Sequence, residues 1–323
     1  MAARLCAPRL AVRAAWIAAL TMLLAIVGCA KKPAPAAEAP VAEKKTGVLL
    51  VSHGSRSATW RKALEELGER VRGPILAGGK VKEVKSAFME YTEPSIATRL
   101  KEFDRDGFSD VVVVPVFLTV SPHPFDDIPT IMGQKTDPQS LETIKVEGIE
   151  RYTPRARVHL TPLLDFTDLL QKNILRRVKS LSTDAAKEGL VLVAYGDETY
   201  EKEWTKLLEK VAAHVGEQTG IKTSAHAWCG HIVRYDPKKT TAAIEQVLKT
   251  RERALVIPVL VAHDEHFQVK IIGDGIAAVA GSKEKVAYRP DAILPDDNLD
   301  QWVIRATMER ATSLEAGGGL VQR

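Results

Sequence analysis

Cysteine is nearly missing: three residues in a chain of 323, at positions 6, 29 and 229. That excludes a disulfide framework, so stability must come from a packed core, and Cys229 reads as a small buried hydrophobe. Aromatic residues are also scarce, at 6% of the chain, which offers no stacking platform for nucleic acid. Nor is there a field of one sign. Residues 1–28 hold three arginines and no acid, and residues 29–45 a further net +2, so a total of +4 leaves the remainder slightly negative. A body without a basic footprint is not a nucleic-acid binder. The phosphate loop G-x-x-x-x-G-K-[ST], a G-x-G-x-x-G after a strand and the G-x-S-x-G nucleophile elbow are all absent. Nucleotide-driven chemistry and serine hydrolysis therefore have no foothold.

What is present is an ordinary globular composition, 45% hydrophobic and 27% charged, long enough for about two domains. Residues 1–28 read as a targeting segment: a basic start, an apolar run from Ala14 to Val27 too short for a comfortable span, then small residues. Ile26-Val27-Gly28-Cys29 resembles a bacterial lipobox, which implies cleavage before Cys29 and lipid attachment there. An ordinary cleaved signal or an uncleaved anchor is the plainer alternative. The Ala/Pro-rich residues 29–45 read as a tether, giving a membrane-anchored lipoprotein of the periplasm or cell envelope held by acyl chains.

From Thr46, short apolar runs alternate with helical patterns, as in stacked βαβ units around parallel sheets. In residues 46–185 the spacing predicts strands at Gly47–Ser52, Val81–Met89, Asp110–Val116 and Val158–Leu163, with helices at Ala58–Val71, Pro94–Phe103 and Phe166–Leu181. In residues 186–316 it predicts strands at Gly189–Tyr195, Thr223–Trp228, Ala254–Leu260 and Val286–Tyr288, and helices at Tyr200–Val215, Pro237–Leu248 and Leu299–Ala311. Residues 317–323 read as a flexible tail. Pro94 and Pro237, Pro115 and Pro258, and His123 and His266 are each 143 residues apart. The chain therefore reads as two duplicated flavodoxin-like α/β lobes facing a central cleft, where the carboxyl ends of parallel strands bind ligands.

His53 follows the first strand directly in VSHGSR, with Gly54 permitting a tight turn. Glu90 ends the second strand in AFMEYTEPS, and His123 lies past the third in a proline-rich loop, VPVFLTVSPHPFDDIP. Any single histidine here is as readily a loop residue satisfied by backbone. Together, two imidazoles and a carboxylate suit Co²⁺, Fe²⁺, Ni²⁺ or Zn²⁺ and leave coordination positions open.

These three segments, in this order, resemble the class II tetrapyrrole chelatases, the sirohydrochlorin cobaltochelatase and ferrochelatase group. The likeness covers residues 47–129 closely and the rest by strand order. It implies a chelatase-like fold and ATP-independent insertion of Co²⁺, or else Fe²⁺ or Ni²⁺, into sirohydrochlorin or a related tetrapyrrole during cobalamin or sirohaem synthesis. The metal is a substrate held by His53, Glu90 and His123, which also serve the chemistry, and no nucleotide is needed. Ser55 and Arg56 would hold the carboxylate-rich macrocycle, with Arg99 and Lys270 as weaker candidates. Asp126 and Asp127 either orient His123 or cap the following helix.

The second half departs from the pattern. Tyr195 stands where His53 is, while His266 is kept and His263 added. Two readings stay open: a degenerate copy that closes the cleft, or a second metal site from His226, His231, His263 and His266. A homo-oligomer is compatible with either. Export also fits a non-enzymatic lipoprotein that captures metal or tetrapyrrole.

Overall fold

The computed structural model describes residues 44–118 and 121–317; the leader, Cys29, most of the tether and residues 318–323 lie outside them. The first half runs β1 (Thr46–Ser52), α1 (Ala58–Ala77), β2 (Glu83–Phe88), α2 (Ile96–Arg105) and β3 (Asp110–Pro115). A π-helical turn (His123–Asp127) then leads into α3 (Ile128–Ile131), α4 (Pro138–Val146), β4 (Arg157–Leu160) and α5 (Phe166–Leu181). The second half repeats the plan as β5 (Glu188–Ala194), α6 (Glu201–Thr219), β6 (Ser224–Trp228), a 3₁₀ turn (His231–Val233), α7 (Lys238–Leu248) and β7 (Arg253–Val259). It ends with a π-helical segment (Glu265–Ile272), α8 (Gly273–Ala277), α9 (Ser282–Lys285), β8 (Val286–Tyr288) and α10 (Asp297–Glu315).

Both sheets are parallel and four-stranded, ordered β2-β1-β3-β4 and β6-β5-β7-β8. The expected pair of α/β lobes is thus present. In each, the chain leaves the first strand to one side and returns on the other, so a crevice opens between β1 and β3, and between β5 and β7, at their carboxyl ends.

Strand periodicity builds three cores. Val48 and Leu50 of β1 face a central layer, with Leu64, Leu67, Val71 and Ile75 of α1, while Leu49 and Val51 face outward toward Ile96, Leu100 and Phe103 of α2. In β5, Leu190 and Leu192 join the same central layer, and Val191 and Val193 pack on Ile244 and Val247 of α7. Strands buried on both faces read as unbroken apolar runs, which is why they were legible. The closing helices cross over: α5 packs on α6 and β7, and α10 on α1 and β3. Arg177 of α5 donates to the Pro258 carbonyl at 2.7 Å, Asn173 to Ile293 O at 3.0 Å, and Arg70 of α1 pairs with Asp300 of α10 at 2.6 Å. These contacts tie the two lobes together across the shared central layer.

Three local expectations change. α1 continues past Val71 because the apolar stripe extends to Ile75, fully buried beyond Pro74. Pro94 does not open α2: Ser95 caps it, its hydroxyl accepting from Thr98 N at 3.2 Å, while the Pro94 carbonyl is taken by Phe88 N at 2.9 Å. The proline-rich stretch at His123 is a π-helical turn rather than a loop, since Pro122 and Pro124 fall where a first turn needs no N–H donor.

Candidate active site

The three residues singled out by sequence meet at the mouth of the first crevice. β1 pairs with β2 up to Ser52 and Phe88, and the ladder runs on past both strands, with Met89 N donating to Ser52 O at 2.8 Å and Glu90 N to His53 O at 3.0 Å. This extension sets His53 beside Glu90. Its Nε2 lies 3.0 Å from Glu90 Oε1, and the imidazole of His123, arriving from beyond β3, packs edge-on at 4.9 Å between ring centroids. Gly54 makes the approach possible: its φ is +103°, and a Cβ there would sit 2.0 Å from the Glu90 carbonyl oxygen.

Each imidazole is anchored through its far nitrogen. His53 Nδ1 lies 3.1 Å from Gly54 O, and His123 Nδ1 lies 2.6 Å from Asp127 Oδ2. A ring N–H spent on such an acceptor turns the other nitrogen toward a cation, the usual arrangement around metal-binding histidines. Of the two readings for the acids, orientation holds for Asp127, whose carboxylate makes no capping hydrogen bond to α3. Asp126 instead pairs with Lys135.

Burial would strip the proton from His53, yet the Glu90 hydrogen bond and charge, the Gly54 carbonyl and the Asp127 charge outweigh it and hold the imidazole above its ordinary pKa of 6.5. Burial likewise opposes the Glu90 charge, but His53, His123 and the Tyr91 hydroxyl together keep its carboxyl below the usual range. Both shifts come largely from the His53–Glu90 contact and favour a proton on Nε2 facing the carboxylate. Among the described residues no group of three or more His, Cys, Asp or Glu side chains is arranged to hold a metal ion, this trio included, and His53 Nε2 is instead hydrogen-bonded to Glu90. A cation bound at His53 Nε2 would have to replace this hydrogen bond.

Two contributors were not legible. Tyr91 has φ +67°, stacks near His53 at 5.9 Å and is pushed up to about 12 by burial and then by the Glu90 charge. Phe117 packs against both imidazoles, at 6.4 Å and 5.6 Å, and walls the site. An αL tyrosine leaves no mark in sequence, and a Phe beyond a strand reads as core. Of the expected macrocycle contacts, Arg56 stands at the rim with its guanidinium 5.3 Å from the Tyr91 ring. Ser55 Oγ accepts from Ser57 N at 3.0 Å, leading into α1. Arg99 is elsewhere: it donates to Ser86 O and Glu102 on the outer edge of β2. It lines a groove of about 600 Å³ there, whose walls include none of the trio. Cys229 is fully buried and its thiol is pushed up to about 12, an inert core residue as expected.

The second lobe keeps the backbone and changes the chemistry. Cys229 N donates to Ala194 O and Gly230 N to Tyr195 O, both at 2.9 Å, repeating the first lobe's ladder. Tyr195 therefore occupies the place of His53, Gly196 that of Gly54 and Gly230 that of Glu90. The four histidines do not gather into a second metal site. His226 stacks on Trp228 inside β6, His231 Nδ1 meets the Tyr195 hydroxyl at 3.3 Å, His263 Nδ1 meets Pro290 O at 2.8 Å, and His266 packs on Tyr235 and Phe267. No two of them touch among the described residues.

Comparison with known proteins adds to this geometry. A family model described as CbiX matches residues 47–181, the first half through α5. A sirohydrochlorin cobaltochelatase of Methanococcoides burtonii is 34% identical over 110 residues, 33% of this chain and 78% of that protein. One from Methanosarcina barkeri is 26% identical over 108 residues, 32% of this chain and 76% of that protein. Among solved structures, the sirohydrochlorin chelatase SirB from Bacillus subtilis subspecies spizizenii in complex with cobalt superposes with a TM-score of 0.57 at 16% identity, over 84% of this chain and 97% of that one. The last shares the two-lobed fold.

Proposed function

The chain belongs to the CbiX family of class II tetrapyrrole chelatases, and from that premise we propose that its first lobe inserts a divalent metal, Co²⁺ foremost, into sirohydrochlorin or a related tetrapyrrole. The observation that carries this is the meeting of His53, Glu90 and His123, with the far nitrogen of each imidazole already anchored. His53 Nε2, the Glu90 carboxylate and His123 Nε2 receive the metal as it displaces the His53 proton. When the metal passes to the macrocycle, two pyrrole protons must leave. His53 and Glu90, freed at that moment, accept one each and pass the surplus to water, so charge balances without ATP. The Co²⁺ assignment is supported by the naming of the curated relatives. Anchoring at the cell envelope through Cys29 belongs to the same proposal and is supported by the lipobox-like residues alone.

The test is multiple turnover. Protein at a small fraction of the concentrations of Co²⁺ and metal-free sirohydrochlorin, followed by absorbance, is expected to convert many equivalents. Because protons and metal compete for Nε2 of an imidazole whose pKa is raised above 6.5, the rate should climb with pH through that region and fall below it. Parallel runs with Fe²⁺ and Ni²⁺ fix the metal preference. Stoichiometric binding without turnover would overturn the proposal.

A further inference from the structure

The alternation along β3 does not stop where the strand does. Val112 and Val114 belong to the central layer, and Val111 and Val113 to the outer one with α2. Past Pro115, Val116 N donates to Val51 O at 2.7 Å, so the chain stays on the ladder and keeps its period of two. Val116 and Leu118 join the central layer, and Phe117 joins the outer one. Phe117 is thus rooted in packed core at 6% exposure, in one buried cluster with Met89 and Ile128, the sequence neighbours of Glu90 and Asp127.

The second lobe shows what that place needs for folding alone. Val51 pairs with Pro115 in the first lobe and Val193 with Pro258 in the second, so Phe117 corresponds to Leu260. Leu260 is buried in the matching outer cluster, with Val191 and Val193. Leucine therefore fills the position in the lobe where Tyr195 and Gly230 stand in place of His53 and Glu90. The core does not ask for a ring there; the ring accompanies the imidazoles.

Its contacts say what it does for them. The Phe117 ring lies 6.4 Å from His53, edge-on at 62°, and 5.6 Å from His123, tilted at 47°, while the two imidazoles meet at 71°. The hydrogen bonds to Gly54 O and Asp127 hold one nitrogen of each imidazole, and about such a single point a ring can still swing. A flat wall against both rings takes that freedom away. Buried hydrocarbon also gives a water molecule none of the polar partners it needs.

We propose that Phe117 is a positioning residue for metal capture: its ring fixes the mutual tilt of His53 and His123 and keeps water off that side, so that Co²⁺ received by the trio is four- or five-coordinate rather than six-coordinate. This role rests on the chelatase reading and deepens it, since an ion that holds fewer waters has fewer to shed on passing to the macrocycle.

The probe is Co²⁺ titrated into the full protein, with Kd read by competition with a coloured chelator. Coordination number is read from the visible d–d bands, which are intense for four- and five-coordinate ions and weak for six-coordinate ones. Phe117→Leu installs the second lobe's residue, and Phe117→Met keeps the bulk without the flat face. Phe103→Leu serves as the comparison: Phe103 is fully buried in the same cluster but packs on Phe108 and against Gly47, at the end of β1 away from His53. Wild type should show intense bands. Both Phe117 variants should bind Co²⁺ about tenfold more weakly, with bands that fade as water enters. Phe103→Leu should lower the melting temperature as much as Phe117→Leu does and leave Kd and bands unchanged. Weak bands in wild type, wild-type Kd and bands in the Phe117 variants, or an equal loss of Co²⁺ affinity in Phe103→Leu would each overturn the role of Phe117, and turnover of wild type with sirohydrochlorin would still uphold the chelatase reading. If wild type binds Co²⁺ with intense bands that the Phe117 variants lose, yet never turns over, that reading fails and Phe117 remains the wall of a metal site. Failure of wild type to bind Co²⁺ overturns both.

Discussion

His53→Ala is expected to lower the rate of Co²⁺ insertion into sirohydrochlorin by about 10³-fold, the scale of losing a positioned acid–base group. It removes one ligand and one proton acceptor at once. The fold should survive, because the imidazole is a third exposed and the Glu90 carboxyl left behind, 7% exposed, can take up a proton instead of remaining a buried charge. His123→Ala should behave alike. Asp127→Asn keeps the shape and an acceptor but loses the charge behind His123, so its loss should be smaller, about 10-fold to 100-fold. Insertion assays paired with thermal melts read both quantities. Full turnover in both histidine variants would remove the basis for the site.

Gly54→Ala should damage both stability and insertion severely. Two penalties coincide there: φ of +103°, and a Cβ 2.0 Å from the Glu90 carbonyl oxygen, a backbone atom that cannot swing aside. Gly79 separates them, since it has φ of +75° but nothing within 4 Å of where a methyl would stand. Gly79→Ala should lose about 1–2 kcal/mol from backbone strain alone and leave insertion intact. Gly54→Ala should lose at least about 2 kcal/mol more and abolish insertion, because relief of the clash pushes Glu90 away from His53. Urea melts and turnover on the two variants make the comparison. Equal stability losses would mean that the close passage of these two backbones is not what builds the site.

The strand pattern was open to reading because parallel strands buried on both faces must be apolar throughout, as GVLLVS and DVVVVPV are. His53, Glu90 and His123 were legible for the same reason: each follows a recognisable strand, and strand ends converge by topology. The crossover of α5 and α10 was not, since an amphipathic helix does not state which sheet it covers. Nor was the equivalence of Gly230 with Glu90. The constant offset of 143 breaks there, and only the hydrogen-bonded register restores it. Tyr91 escaped because backbone conformation, not residue type, sets it apart.

The most direct measurement is the anomalous difference map of a crystal soaked in Co²⁺. The account predicts a peak about 2.1 Å from His53 Nε2, His123 Nε2 and a Glu90 carboxylate oxygen, with the His53–Glu90 hydrogen bond replaced by the ion. A peak among His231, His263 and His266, with none between His53 and His123, would contradict it.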